Sequence, residues 1–387
     1  MVRSSASPDF LSTASPASGR APFRFELPEE LSAREPPEKR GLSRDGVRLL
    51  SADRSTGALT HTRFNRIADF LNPGDCLVFN ASRTLPAVLG ALVEREDDRC
   101  TAAGQRLQLR LARRWEDGDW SVLVLSGDEE PWQGDLLGSR LILAAGSAAG
   151  SAAGGPEGHD LSARVLQRDP WVDRLWKIRF SRRGQGLMES LSRLGNPVRY
   201  WYASSPWDLD YYQTVYAREP GSVEMPSAGR AFTWKLLMDL RRKGIETAFL
   251  VLHAGLSSYM DEEFDAGHPA SVEPFRLEGP AAARINAAKA GGGRVVAVGT
   301  TVVRALESIA DDRGRVHAEA GDTRLRITPG YRLKTVDGLL TGFHEPTASH
   351  LDLLTAFLPP ERLRPVYEEA LREKYLWHEF GDANLIL

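Results

Sequence analysis

The chain has little cysteine and no long apolar run, and both absences narrow its possible functions. Cys76 and Cys100 are the only two cysteines among 387 residues, and no motif spacing relates them. This scarcity argues against a zinc ribbon or a three-cysteine iron–sulfur site, and it predicts a reducing, cytoplasmic location. No stretch approaches the roughly 18–20 apolar residues that a membrane-spanning helix needs, so we expect no membrane partner.

A strong net charge is also missing. The 49 basic and 52 acidic side chains give a formal net charge of −3, so nothing attracts the whole chain to nucleic acid. Any polyanionic partner must therefore be held by a local basic face. The hydrophobic and charged fractions, 42% and 26%, are ordinary for a globular protein, and the length allows two domains. Residues 1–22, rich in Ser, Ala and Pro, are expected to form a disordered leader.

Residues 88–181 differ in pattern from the sequence on either side. Short alternating segments, joined by Gly and Asp turns, predict an antiparallel meander or a small closed barrel. The Gly- and Ala-rich residues 146–158 are expected to be a hairpin loop or a flexible insertion. In residues 23–87 and 182–387, helices and strands alternate, which predicts an α/β fold with a largely parallel sheet. We therefore predict a discontinuous α/β main domain that carries the active site and is interrupted by a β-barrel-like domain.

Several elements of the main domain have clear local signals. Two short strands are predicted within residues 44–64, and a terminal strand within 375–387. Helices are predicted over residues 187–195, over 207–219, and over 233–244 with Thr233 as N-cap. Residues 323–340 predict a strand, a Pro-Gly turn and a second strand, and a helix is expected to begin near Thr347.

Polar residues follow the predicted buried strands. The β-branched run 295–298 leads into Gly299, Thr300 and Thr301 and then a helical apolar face. Free N–H groups at that helix start would bind a carboxylate or phosphate, with Arg304 one turn further as a second partner. A threonine that merely caps the helix would give the same pattern.

Three other strand ends carry similar polar corners. His253 and Gly255 follow the strand at 248–252, Asn80 and Arg83 follow the strand that begins at residue 76, and His344 lies two residues before Pro346. Because parallel strands end at one edge of a sheet, where ligands bind, the corner at His253 and Gly255 and the corner at Gly299, Thr300 and Thr301 are expected to converge. Satisfied turns remain the alternative for Asn80 and Arg83.

These ordered segments resemble a known family. The segments that show the resemblance are GSVEMPSAGRAFT, LVLHAG, AVGTTVVRALES, VDGLLTGFHEP and FGDANLIL. The chain resembles the S-adenosylmethionine:tRNA ribosyltransferase-isomerase family of queuosine biosynthesis. The resemblance extends from about residue 23 to 387 and is that of a divergent member. The resemblance implies an α/β domain with an inserted barrel-like domain, a monomer, and no metal. The implied reaction moves and isomerises the ribosyl group of S-adenosylmethionine onto 7-aminomethyl-7-deazaguanine in tRNA, giving epoxyqueuosine, adenine and methionine.

The implied reaction assigns roles to the polar corners. Because the sulfonium acidifies the neighbouring C5′ proton, the site needs a proton carrier, and His253, Glu273 and His344 suit by residue type. The groups expected to bind S-adenosylmethionine are Gly255, Gly299, Thr300, Thr301 and Arg304. Those expected to bind the acceptor are Asn80, Arg83, Gln213, Ser227, Gly229, Arg230 and His268.

The chain departs from the family pattern at several of these motifs. Ala231 and Ser271 stand where histidines are expected, Ala81 stands where an aspartate is expected, and Arg230 replaces a leucine. Two alternatives therefore stay open. One is a paralogue that transfers the ribosyl group to a small-molecule acceptor, for which Arg230 would bind an anion. The other is a non-catalytic protein that binds the cofactor.

Overall fold

The computed structural model describes residues 23–94, 102–127, 129–144, 161–260, 272–346 and 350–387. The predicted leader, the predicted loop at 146–158, the start of the helix expected near Thr347, and His268 lie outside these residues, and so does Cys100. Within the described residues no helix combines the length and the apolar character needed to cross a membrane.

Strands dominate the described chain. They are β1 Arg48–Ala52, β2 Leu59–Arg63, β3 Cys76–Asn80, β4 Ser82–Thr84, β5 Val88–Glu94, β6 Arg106–Arg114, β7 Trp120–Leu125, β8 Arg140–Ala144, β9 Ser162–Arg168, β10 Leu175–Phe180, β11 Glu219–Ser222, β12 Glu246–Leu252, β13 Glu273–Leu277, β14 Val295–Val298, β15 Glu319–Thr323, β16 Gly338–Gly342 and β17 Ala383–Ile386.

The α-helices are α1 Gly184–Leu194, α2 Trp234–Arg242, α3 Gly279–Ala290, α4 Thr300–Ile309, α5 His350–Leu354 and α6 Pro360–Arg372. Short 3-10 helices lie at Glu29–Leu31, Pro37–Arg40, Arg44–Gly46, Phe64–Phe70, Leu209–Tyr212 and Ser227–Gly229.

One sheet of nine strands organises the main body, in the order β15-β13-β12-β3-β14-β16-β17-β1-β2. The four central strands β12, β3, β14 and β16 run parallel to one another, and the outer pairs are mostly antiparallel. The predicted α/β class with a largely parallel central sheet is confirmed. Its consequence is that four strands end at one edge.

Burial on both faces explains why these central strands are almost continuously apolar. In β3, Val78 faces a core that includes Ile285 of α3 and Leu306 of α4. Phe79, the next residue, faces the opposite core, which includes Leu240 of α2. Successive side chains of a strand point to opposite faces, so a strand covered on both faces needs apolar residues at every position.

Six strands close into an antiparallel barrel, in the order β10-β7-β6-β5-β8-β9. Their inward residues, such as Leu109 of β6 and Val122 of β7, form a core separate from the two cores of the large sheet. The predicted β-barrel is confirmed, and its strands span Val88 to Phe180. That this barrel is a domain with boundaries at 88 and 181 stays a prediction.

Most of the predicted elements of the main body are present. The helix at 184–194 and the terminal strand are confirmed, and Thr233 caps α2 by accepting a hydrogen bond from the Leu236 N–H at 3.1 Å. The helix predicted over 207–219 is wrong, because only Leu209–Tyr212 is helical and the chain continues to β11. The Gln213 carbonyl accepts from Arg44 instead of from a helical N–H.

The strand pair predicted within 323–340 is only half present. β15 ends at Thr323, and no strand lies between it and β16. The carboxylate of Glu307 accepts the backbone N–H groups of Lys334, Thr335 and Val336 at 2.8–3.0 Å. These donors are therefore taken by a side chain of α4 and cannot pair with a strand.

Candidate functional site

The carboxyl ends of the four parallel strands bring several of the predicted site residues to one edge. His253 follows β12, Gly299 follows β14, and His344 lies two residues after β16. The strand order places the corners after β12 and β14 at one edge, as predicted, and it places His344 at the same edge. β12 and β16 are three inter-strand spacings apart, about 14 Å.

His253 is held by a pair of serines from the small parallel sheet of β4 and β11. Its Nδ1 lies 2.8 Å from the Ser82 hydroxyl, which lies 2.7 Å from the Ser222 hydroxyl. The Ser222 oxygen also accepts the backbone N–H of Ala254 at 3.1 Å. Gly221 packs directly on the imidazole, where a methyl group would overlap the ring. These contacts fix the ring plane and leave Nε2 as the outward nitrogen.

The electrostatic surroundings keep this imidazole neutral near neutral pH. Burial lowers the pKa of His253, the nearby Arg114 and Arg276 lower it further, and Glu219 opposes them. Glu219 lies 3.8 Å from Nε2, but its carboxylate is also paired with the Arg276 guanidinium at 2.5 and 3.1 Å. A neutral imidazole with one ring nitrogen anchored can accept a proton at the other.

The start of helix α4 forms the second feature of the edge. Gly299 is the N-cap residue, with φ +99°, and no side chain among the described residues caps the helix. The alternative that a threonine is the cap is therefore wrong. Thr300 is buried, and Thr301 is partly exposed. The first N–H groups of a helix lack intrahelical partners, so this corner can bind an anion.

Arg304 and Glu273 form an ion pair beside this helix start. The Arg304 guanidinium donates to the Glu273 carboxylate, and its Nε donates to the Leu325 carbonyl at 2.9 Å. Burial raises the pKa of Glu273. Arg304 and a hydrogen bond from the Gly255 N–H oppose part of this rise in the pKa. The predicted roles of Arg304, Glu273 and Gly255 stay predictions, but the three residues touch one another.

His344 lies at the far end of the edge and stacks on a second histidine. The rings of His344 and His350 are parallel, with centroids 4.6 Å apart, and His344 Nε2 lies 2.9 Å from the Thr341 hydroxyl. Burial holds the pKa of His344 well below its usual range, and His350 and His378 add to the effect. Burial and the charge of Arg304 lower the pKa of His350 to about 4.

Two of the predicted acceptor-binding side chains are engaged with the backbone. The Asn80 amide donates to the Leu252 carbonyl at 2.8 Å and accepts the N–H groups of Leu252 and Ser82, both at 3.0 Å. The Gln213 amide pairs with both backbone groups of Thr84, at 3.1 and 2.9 Å. Both residues are buried, and these contacts join β3 to β12 and brace β4.

The segment Ser227–Gly229 and Arg230 lies above the corner at Gly299. A Cβ on Gly299 would lie 3.5 Å from the Ala228 Cβ. Arg230 is only 3% exposed, donates to the Tyr211 carbonyl at 2.7 Å, and pairs with the Glu38 carboxylate at 2.9 and 3.1 Å. These interactions occupy the Arg230 guanidinium. Arg83 of β4 is exposed.

A carboxylate that the sequence analysis did not select, Glu224, lies close to Glu273. Its Oε1 accepts the N–H and the hydroxyl of Ser257, both at 2.8 Å. Burial raises the pKa of Glu224 to about 6, and the charge of Glu273 contributes to the rise. Glu224 belongs to GSVEMPSAG, part of a segment that shows the family resemblance. That membership is the sequence signal that could have identified Glu224.

A cleft between Ser227–Arg230 and the C-terminal segment adds two further residues that the sequence analysis missed. His378 and Glu379 line it together with Thr341 and Gly342 at the end of β16. His378 has φ +71° and stacks on Tyr202 with centroids 4.0 Å apart, and burial lowers its pKa to about 4. Burial raises the pKa of Glu379 to about 7, and no described group hydrogen-bonds its buried Oε2.

Among the described residues, no group of three His, Cys, Asp or Glu side chains is arranged to hold a metal ion. The prediction that the protein needs no metal stays a prediction. The edge instead combines neutral histidines, buried carboxylates and an uncapped helix start, which suits proton transfer on an anionic ligand.

Comparison with known proteins covers nearly the whole chain. Residues 20–386 match the family model described as "Queuosine biosynthesis protein". The chain is 36% identical to an S-adenosylmethionine:tRNA ribosyltransferase-isomerase of Caldanaerobacter subterraneus, over 95% of this chain and 99% of that protein. It is 38% identical to the enzyme of the same name from Moorella thermoacetica, over 94% and 98%.

A solved structure, of an S-adenosylmethionine tRNA ribosyltransferase from Thermotoga maritima, is 29% identical to this chain. The alignment covers 95% of this chain and 100% of that one, with a TM-score of 0.49.

Proposed function

The chain belongs to the queuosine biosynthesis protein family, and we propose that it is an S-adenosylmethionine:tRNA ribosyltransferase-isomerase. In this proposal, the ribosyl group of S-adenosylmethionine is transferred to 7-aminomethyl-7-deazaguanine in tRNA and isomerised to the epoxycyclopentane of epoxyqueuosine. Adenine and methionine are released. The observation that carries the proposal is a neutral, anchored His253 on the same sheet edge as the uncapped start of α4.

His253 is proposed to be the base that removes the C5′ proton. The sulfonium makes that proton acidic, so a neutral imidazole is a sufficient base. Support comes from the lowered pKa of His253, from its anchored Nδ1, and from its partly exposed position with 23% of the side chain accessible. Glu219 would stabilise the imidazolium that forms, because it lies 3.8 Å from Nε2.

The methionine carboxylate is proposed to bind at Gly299, Thr300 and Thr301. Backbone N–H groups at the start of α4 would donate to it, and the helix dipole would favour its negative charge. Arg304 would add a charge one turn further, although it is shared with Glu273 in the absence of ligand. Gly255 borders this position through its hydrogen bond to Glu273.

His344 is proposed to act on the leaving adenine. The ends of β12 and β16 are about 14 Å apart, so His253 and His344 reach the ligand from different strands. S-adenosylmethionine is an extended molecule, so its C5′ carbon can lie near His253 while its adenine lies near His344. The strongly lowered pKa of His344 makes it a neutral hydrogen-bonding group, with Nε2 engaged by Thr341.

The acceptor is proposed to be a tRNA base, with Arg83, Ser227, Gly229 and His268 as predicted contacts. An anionic small molecule bound by Arg230 has no support, because Glu38 and the Tyr211 carbonyl already occupy that guanidinium. Asn80 and Gln213 are better explained as braces that hold the strand ends. They would act on the acceptor by positioning the backbone around it.

Mass-spectrometric detection of adenine and methionine tests the proposal. The protein would be incubated with S-adenosylmethionine alone, with the free base, and with tRNA that contains 7-aminomethyl-7-deazaguanine. We expect release of both products with the modified tRNA only, and a matching increase in the mass of the tRNA. Unmodified tRNA of the same sequence is the control, because it carries guanine at that position and therefore has no aminomethyl nucleophile.

Two results would contradict the proposal in different ways. Equal product release without tRNA would indicate a small-molecule acceptor or water. Binding of S-adenosylmethionine without release of adenine under any condition would indicate a protein that binds the cofactor without catalysis.

A further inference from the structure

Two tryptophans on the barrel pack against the same arginine. Trp115 follows β6, and Trp171 lies between β9 and β10, with ring centroids 4.9 Å apart. The guanidinium carbon of Arg113 lies 4.0 Å from the centroid of each ring. Trp171 is 45% exposed, which is unusual for the largest apolar side chain.

A second arginine reaches this pair from the large sheet. Arg324, directly after β15, is exposed, and its guanidinium carbon lies 4.7 Å from the Trp171 ring centroid. We use the name Arg–Trp patch for Arg113, Trp115, Trp171 and Arg324. The patch therefore spans the junction between the barrel and the large sheet.

The acidic groups around the patch are mostly committed to basic partners. Asp169 is buried, 3.3 Å from Arg113, and accepts from the Ser121 hydroxyl. Asp117 pairs with Lys177 at 2.6 Å, and Lys177 lies 4.8 Å above the Trp115 ring. Asp322 also acts on the Arg113 charge. The exposed surface of the patch is thus an indole ring with a guanidinium on it.

The patch adjoins the candidate active site. The carbonyl of Ala112, next to Arg113, accepts the N–H of Leu256 at 3.3 Å, and a Cβ on Gly255 would lie 2.8 Å from that oxygen. Leu256 and Gly255 belong to the loop that follows His253. On the other side of Arg113, the charge of Arg114 is close enough to lower the pKa of His253.

A purely structural role explains only part of this arrangement. Asp169 and the two rings account for Arg113, whose side chain is 15% exposed. They do not account for an exposed Trp171 that carries a second arginine from another sheet. A flat aromatic face beside guanidinium groups is the combination that binds single-stranded RNA, because bases stack on the ring and phosphates pair with arginine.

We propose that the Arg–Trp patch binds unpaired nucleotides of the tRNA next to the nucleotide that enters the active site. A base would displace the Arg324 guanidinium from the exposed face of Trp171 and stack there, and the displaced Arg324 together with Arg114 would contact the flanking phosphates. This inference rests on the proposed function, since it takes tRNA as the acceptor. It assigns to the barrel the task of orienting the RNA across the edge that holds His253.

Binding of modified tRNA to the full-length protein tests the inference. Trp171→Ala is expected to raise the Kd about 5- to 100-fold, the range for loss of one base–aromatic stack, and Trp171→Phe to restore most of the affinity. Arg324→Ala is expected to reduce the slope of log K against log salt by about 0.7, as one phosphate contact to a single strand is lost.

Matched controls are Trp234→Ala on α2, where the tryptophan is 56% exposed, and Arg66→Ala, a surface arginine paired with Asp69. Both are expected to bind tRNA as the wild type does. S-adenosylmethionine affinity and the thermal midpoint should be unchanged in every variant, which separates loss of RNA contact from loss of fold.

The outcomes distinguish this inference from the proposed function. If the wild type modifies tRNA and Trp171→Ala binds it equally well, the patch only stabilises the fold and the inference is overturned. If Trp171→Phe binds as poorly as Trp171→Ala, stacking is not the interaction. If the wild type releases adenine but neither binds nor modifies tRNA, the proposed acceptor fails and this inference fails with it.

Discussion

The two edges of the central parallel sheet use the same kinds of residues in opposite ways. At the edge where the strands begin, Asp75 precedes β3, Arg294 precedes β14, and Asp337 precedes β16. Asp75 accepts three hydrogen bonds from Arg294 and one from the Asn72 N–H. Asp337 accepts two from Lys289 and one from the Val295 N–H. Asp75, Arg294 and Asp337 each have a charged partner, so these residues stabilise the fold at this edge.

At the edge where the strands end, polar groups are buried without being fully satisfied. The helix start at Gly299 has no side-chain cap, and burial lowers the pKa of His253, His344 and His350. Desolvated groups of this kind reduce the stability of the fold unless a ligand compensates them. The difference between the edges shows that polar residues alone do not identify a candidate site. Buried polar groups with incomplete pairing at a preorganised sheet edge do identify one.

The largest expected effect comes from removing the proposed proton carrier, His253, at the carboxyl edge. His253→Gln keeps the size of the side chain and removes the basic imidazole. We expect turnover to fall by about 10²- to 10⁴-fold, the usual contribution of a general base, with little change in the Kd of S-adenosylmethionine. Adenine release measured with modified tRNA checks this. A variant with near wild-type turnover would show that His253 only supports the loop.

The second prediction concerns the edge where the strands begin. The residue to substitute there is Asp75, which is 2% exposed. Asp75→Ala leaves Arg294 without its main partner, and loss of one member of a buried pair costs about 3 kcal/mol of unfolding free energy. We expect lower stability and unchanged turnover per folded molecule. Urea unfolding checks the first, and active-site titration the second. Asp239→Ala, on the surface of α2, is the control and should change stability little, because exposed ion pairs contribute little.

The smallest effect concerns stability at acid pH. The pKa of His350 is about 4 in the folded chain and about 6.5 in an unfolded one, so the unfolded chain binds more protons between these values. Its contribution to stability is present above pH 6.5 and is lost as the pH falls toward 4. Burial and the charge of Arg304 lower this pKa, and the His344 ring stacks on the imidazole.

His350→Gln should make the unfolding free energy less dependent on pH in this window. The change in slope should correspond to at most one proton taken up on unfolding. His317→Gln, at a histidine whose side chain is 60% accessible, is the matched control for the substitution itself. Denaturant titrations at several pH values between 4 and 7 measure the slope. Equal slopes for the wild type and His350→Gln would mean that His350 titrates normally in the fold.

Strand ends were predictable from local pattern, and with them the position of His253, Gly299 and His344. A buried parallel strand is apolar at every residue, so the first polar residue after it marks the edge of the sheet. Residues outside such patterns were missed. His350 begins a short helix, and Glu224 lies in a loop, so neither has a periodic signal that separates it from ordinary surface residues.

The sequence by itself determined the α/β and barrel patterns, the order of the motifs, and the family. Only the tertiary structure decided which polar groups are already paired. Arg230 meets Glu38 across 192 positions of sequence, and Arg304 meets Glu273 across 31. Local preferences act over one turn of helix or one pair of strands, whereas these partners meet only after the chain has packed. The availability of a charged group for a ligand is therefore a property of the fold.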